Sequence, residues 1–141
     1  MRYENMQAGR ALIDMLHVGK SADAKRYNVE CLVKDILYTS GLDVSMGVLP
    51  KGATVLACLA CVRTAFAGGT TTGTVSVGIA GGAQVYMTTT VFAETVAGLK
   101  GFIPVTATPL AAATEVLIDV TAPTGSGLAG AATIALFYLP A

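Results

Sequence analysis

Side chains that could do chemistry are scarce in this chain, and their spacing suits little of it. The single histidine, His17, stands three residues after Asp14, a spacing that on a helix puts imidazole and carboxylate on one side. A triad needs in addition a nucleophile held against the ring. Many solvated pairs share the spacing, so His17 reads as an ordinary surface histidine. Cys58 and Cys61 have the C-x-x-C spacing of redox and zinc motifs. In a strand, however, residues three apart point to opposite faces, so these thiols should share neither a metal nor a disulfide. No second such pair supplies further zinc ligands. Cys31 makes the total odd, and all three cysteines are expected to be buried structural thiols of a reducing compartment.

The glycine-rich and acidic residues fare no better. Gly68-Gly69-Thr70-Thr71-Thr72-Gly73 lacks the Gly-Lys-Ser/Thr ending of a phosphate-binding loop. Gly78-Ile79-Ala80-Gly81-Gly82 joins two strand patterns, with no helix whose N-terminus would hold a phosphate. Of the carboxylates outside the first segment, Glu115 and Asp119 share a strand face roughly 13 Å apart. That is wider than either glycosidase geometry. No catalytic residue, cofactor site or metal site is expected, and the chain does not read as an enzyme.

Composition narrows the classes further. Hydrophobic residues make up 53% of the chain and charged residues only 13%, which excludes disorder over most of its length. Nine basic and nine acidic residues cancel, leaving no footprint for a phosphate backbone, so no nucleic acid is expected as a partner. Mean hydropathy is +0.64, yet no apolar run reaches the roughly 20 residues of a spanning helix. With nine aromatics, no girdle pattern and no signal peptide, a small outer-membrane barrel is not expected either. The charges are unevenly distributed: residues 1–51 carry 13 of the 18, and the remaining 90 residues carry five and sixteen threonines. A free β-domain keeps a surface roughly a quarter charged. Much of this body is therefore expected to be covered by other protein.

These residues must be carried by two parts, an N-terminal arm over residues 1–27 and one domain over 28–141. The arm is an apolar and basic mixture with Gly9 inside its best helical stretch, too weak to fold alone. Residues Asn28–Tyr38 fit both helical and strand spacing, and are read as a strand because everything downstream is β. Val44–Val48 alternates, and Leu49-Pro50-Lys51-Gly52 reads as a type I turn with Pro50 in its second position. Ala53–Arg63 is apolar on both sides and is expected to be a central strand covered on each face. Thr74–Ile79 and Ala83–Thr89 form a hairpin about Gly81-Gly82. Phe92–Ala97 and Phe102–Ala107 are read as strands around a Gly98-Leu99-Lys100-Gly101 turn, with Pro104 at an edge or bulge. Glu115–Thr121 and Ala131–Leu139 complete nine short strands. Their spacing predicts an all-β fold, an antiparallel β-sandwich of jelly-roll type with an extended N-terminal arm.

The run Leu49-Pro50-Lys51-Gly52-Ala53-Thr54-Val55, then Thr64-Ala65-Phe66-Ala67-Gly68-Gly69-Thr70 and Val75-Ser76-Val77-Gly78, resembles small structural proteins of tailed bacteriophages. The ending Gly125-Ser126-Gly127, Gly130-Ala131-Ala132 and Ile134–Leu139 has the same character. The family is that of the head cement, or decoration, proteins of jelly-roll type that sit on HK97-like capsids, and the resemblance covers about residues 43–139. It implies a structural virion protein made in the host bacterial cytoplasm. Such a protein binds the outside of the capsid, self-associates as a dimer or trimer, and reinforces contacts between major capsid subunits. Within that picture the arm carries the contact to capsid or sister subunit. Arg2, Arg10, Lys20, Lys25 and Arg26 alternate there with the apolar anchors Tyr3, Met6, Leu12, Ile13, Leu16 and Tyr27, as in a segment that orders on a partner. The alternative is a receptor-binding or fibre-associated β-domain of a phage virion, which would show aromatic or Asn/Tyr-rich loops. A sugar-binding jelly roll or small cupin-like enzyme would need clustered histidines or carboxylates.

Overall fold

Alternation of buried and exposed side chains organises the chain. It is cleanest at the C-terminal end, where every even-numbered residue from Gly130 to Tyr138 is buried and its odd-numbered neighbours are not. A computed structural model describes residues 28–89, 95–103 and 108–141. The strands are β1 (Glu30–Leu37), β2 (Val44–Leu49), β3 (Thr54–Ala67), β4 (Thr74–Ile79), β5 (Gly82–Met87), β6 (Gly98–Phe102), β7 (Thr114–Thr121) and β8 (Ala129–Leu139). They form two four-stranded sheets, ordered β1-β8-β3-β6 and β2-β7-β4-β5, with antiparallel pairing throughout. The fold is the expected all-β sandwich.

One apolar core lies between the sheets. Ile36, Cys58, Ala60, Ile134 and Leu136 enter it from the first sheet, and Leu49, Val75, Val77, Val116 and Ile118 from the second. Fully burying side chains of this kind stabilises by about 1.5–3 kcal/mol each, which is how so few charges suffice to hold the fold. Only the β4–β5 hairpin turns back within its own sheet, through Ala80 and Gly81 with Gly81 at φ 78°. All other successive strands cross from one sheet to the other.

Some elements differ from expectation. The Gly98–Gly101 segment is not a turn but most of β6, paired with β3 from Cys58↔Phe102 to Val62↔Gly98. Residues 95–97 lie outside any strand, as does Ile103; residues 90–94 and 104–107, which hold the rest of the two expected strands, lie outside the described residues. Eight strands rather than nine are therefore present among the described residues. The turn after β2 is framed one residue later than expected. The Ala53 N–H donates to the Pro50 carbonyl at 3.1 Å, which puts Gly52, at φ 84°, in the third position that a type II turn reserves for glycine.

Candidate functional site

The arm residues singled out above, Arg2 through Tyr27, and His17 with them, lie outside the described residues. Among the described residues, no group of three or more His, Cys, Asp or Glu side chains is placed to hold a metal ion. Cys58 and Cys61 do point to opposite sides: Cys58 is buried and Cys61 exposed. Burial pushes the Cys58 thiol up to about 12. Cys31, expected to be buried, is exposed as well, so only one of the three thiols is a core residue.

The carboxylates serve the fold. Asp119 Oδ1 accepts the Asp43 N–H at 2.8 Å, holding a residue at φ 55°. Glu30 Oε2 accepts the Tyr138 hydroxyl at 2.6 Å. Of the glycine-rich stretches, the loop after β3 is bonded to the loop that leads into β8. Gly69 N–H donates to Ser126 O at 2.8 Å, Thr70 N–H to Thr124 O at 2.9 Å, and Thr71 and Thr124 form an isolated antiparallel bridge. Their hydroxyls lie 2.7 Å apart. A Cβ on Gly125 would stand 2.5 Å from the Thr70 nitrogen, so this close approach needs glycine.

The outer face of the first sheet turns away from the core. Pairing register places Cys31, Val33, Asp35 and Leu37 of β1 on the same side as Phe137, Ala135, Thr133 and Ala131 of β8. The register of β3 adds Ala57, Leu59 and Cys61, and that of β6 adds Leu99 beside Cys61 and Gly101 beside Leu59. A Cβ on Gly101 would stand 2.9 Å from Leu59 Cδ2, so the end of the Leu59 side chain takes the space beside this glycine. Val33, Leu37 and Leu99 are 57%, 54% and 71% exposed. The expectation that β3 is covered on both faces is thus overturned: its inward side is core, while Cys61 and Arg63 on the outward side face solvent.

One charged group interrupts this apolar face. A register shift between Val62 and Thr64 puts an extra residue, Arg63, into β3, and bulges of this kind re-aim side chains. Arg63 Nη1 donates to Thr133 Oγ1 and stands 3.3 Å from Asp35 Oδ1. Thr133 Oγ1 in turn donates to Asp35 Oδ1 at 2.5 Å. These two hydrogen bonds, Thr133 first and Arg63 second, hold the Asp35 carboxyl below its ordinary value. Glu30, Lys34 and Lys100 lie opposite Tyr138, Ile134 and Ala60 in the register, on the core side of the sheet. Among the described residues, Asp35 and Arg63 are therefore the charges of this face. The sequence signal for this face is the two-sided apolarity of Ala53–Arg63, which by itself reads as burial on both sides.

No family model matches the chain, and no curated protein matches it. Its fold is shared with chains in solved phage structures. A chain in the capsid asymmetric unit of cyanophage Pam1 superposes with a TM-score of 0.63 at 22% identity, the match covering 87% of this chain and 98% of that one. A chain in the acid-stable capsid of Helicobacter pylori bacteriophage KHP30 gives 0.58 at 15% identity, covering 79% and 86%. One in the capsid of Ralstonia phage GP4 gives 0.56 at 18%, covering 90% and 94%. At these identities the likeness is one of fold. Because the matches take in most of both partners, the chains compared are also close to this one in length.

Proposed function

We propose that the chain is a structural virion protein that binds the outside of a bacteriophage capsid and reinforces contacts between major capsid subunits. The observation that carries this reading is the near-complete, two-way likeness to chains of similar length in three phage capsids. A chain matched over its whole body, and not over one module, is compared as a unit. The strand order supports the same reading. Eight strands wound alternately into sheets β1-β8-β3-β6 and β2-β7-β4-β5 are what a jelly roll of two Greek keys requires. A body with five charges in its last 90 residues suits a protein that is covered in its working state.

In this reading the chain acts by binding and not by catalysis. It is made in the host cytoplasm, is carried on the outer surface of the virion, and associates with copies of itself as well as with the major capsid protein. The arm over residues 1–27, with Arg2, Arg10, Lys25 and Arg26 among Tyr3, Met6, Leu12, Ile13, Leu16 and Tyr27, supplies anchors for a neighbouring subunit. Each copy adds a contact of ordinary size, and repetition over the lattice turns modest contacts into avidity.

The test is co-sedimentation of the purified chain with mature heads that lack it. Saturation at a fixed, lattice-related number of copies per capsid subunit, with heads that then survive heating better, is the expected result. Absence of binding to heads, with binding to fibres or host cells instead, would replace this reading by that of a fibre-associated domain.

A further inference from the structure

We infer that the free edge of β1 is where a second copy of this chain pairs, strand to strand, about a two-fold axis through Leu32. The inference deepens the reading above and rests on its self-association part alone.

The two sheets end in four edge strands, β1, β6, β2 and β5, and three of these carry features that hinder the addition of a further strand. A register shift between Ser45 and Gly47 breaks β2. The β4–β5 pairing shifts between Val77 and Ile79, and β6 has five residues, two of them glycine. By contrast, β1 runs for eight residues in unbroken register with β8, and Val29, Val33 and Leu37 are exposed along it.

The backbone of β1 is turned to receive a partner. The Tyr38 N–H donates to the Gly130 carbonyl at 3.0 Å, one step beyond the β1–β8 register. Hydrogen-bonding groups alternate in direction along an antiparallel strand, so the even-numbered residues of β1 face β8 and the odd-numbered ones face outward. Leu37 follows that alternation: its N–H donates to Ser40 Oγ at 2.9 Å and its carbonyl accepts the Ser40 N–H at 3.0 Å. Cys31, Val33 and Asp35 turn the same way, where no strand lies among the described residues.

The charge pattern of β1 selects its own copy as the added strand. In a two-fold pair, outward-turned residues oppose outward-turned residues. Centred on Glu30, Lys34 or Asp35, a charge would face itself. Centred on Cys31 or Val33, Glu30 and Lys34 would face only Asn28, Leu32 or Ile36. Centred on Leu32, Glu30 of each copy faces Lys34 of the other, and Cys31 faces Val33. The Glu30 and Lys34 positions are then non-hydrogen-bonded pairs, in which side chains stand closest, at Cα separations of about 4.5 Å. The Tyr138 hydroxyl takes one Glu30 oxygen and neutralises no charge, while Lys34 has no ion pair among the described residues. Asp35 and Arg63 stay paired within each chain and play no part in the match.

The experiment uses the full chain. One added ladder is a small interface, so sedimentation should extend to about 1 mM, and a dimer is expected. Lys34→Glu should raise its dissociation constant about tenfold, since two symmetric pairs turn from attraction to repulsion; adding Glu30→Lys should restore association. Val33→Pro removes an outward N–H and leaves the β1–β8 ladder intact, so it should melt cooperatively as a monomer. With Cys31→Ser and Cys61→Ser in place, Leu32→Cys should oxidise to a disulfide-linked dimer, because the two copies of this position face each other within disulfide reach. Val29→Cys should not, its two copies standing about 20 Å apart along the paired strands. Should Val33→Pro fail to fold, the Lys34→Glu and Leu32→Cys results decide.

A dimer unmoved by Val33→Pro and not linked through Leu32→Cys would put the contact elsewhere, overturning the assignment while leaving self-association intact. Linking through Val29→Cys, or association unchanged by Lys34→Glu, would overturn the register and the selection of the copy by charge. A chain monomeric at every concentration, with no linked dimer, would overturn both the inference and self-association; binding of that monomer to heads would leave the capsid reading standing.

Discussion

Tyr138 joins the two kinds of interaction that hold this protein. Its ring is buried at the margin of the core, and its hydroxyl donates to Glu30 at 2.6 Å. That hydrogen bond to a carboxylate, ahead of burial, raises the phenol above its ordinary value of 10.0. The bond exists only while the hydroxyl keeps its proton. Its contribution is therefore fully present below pH 10, and is lost as pH rises through the higher value of the folded state. Tyr138→Phe keeps the ring and removes the bond. It should cost about 1 kcal/mol at neutral pH, less than a fully buried charged hydrogen bond because Glu30 is exposed. Thermal melts of both proteins from neutral to strongly alkaline pH should converge; a constant gap would mean that the hydroxyl acts through packing.

At the scale of elements, the stitched loops between β3 and β4 and between β7 and β8 tie the two sheets together at one end of the sandwich. Gly125, at φ 102° with the Thr70 nitrogen against it, is where a side chain fits worst. Gly125→Ala should lower stability by roughly 1–3 kcal/mol through backbone strain and lost loop hydrogen bonds, read by urea unfolding. An unchanged midpoint would show that the loops are stitched only loosely. The same scale shows what the sequence makes legible. β7 and β8 were readable because one face of each is core, and burial on one side writes a period of two into the residues. β6 was not, since Gly98-Leu99-Lys100-Gly101 has the composition of a turn and becomes a strand only by pairing with β3. The outward face of β3 reads as buried for the opposite reason: Ala57, Leu59 and Cys61 are as apolar as core residues, and only the structure shows Cys61 exposed and Ala57 and Leu59 half-buried. The arm anchors came from composition alone, which names side chains but not what they touch.

For the molecule as a whole, the described core draws on β1 to β5, β7 and β8. Deletion of residues 1–27 should therefore leave the far-UV circular dichroism and the cooperativity of melting unchanged, while weakening attachment to heads. Loss of cooperative melting would make the arm part of the folded unit. The pairing of β1 with β8 has a mechanical side. The two strands run antiparallel from Glu30↔Tyr138 to Leu37↔Ala131, so the start of the domain and its last strand emerge at the same end of one ladder. Ladder hydrogen bonds lie across the strands, and tension applied at the two chain ends would load them one after another, as a zipper is opened. The same sandwich pushed or sheared across its broad faces resists with its whole core at once. Strain entering through those faces would be shared by all eight strands; strain entering through the chain ends would peel β1 away first.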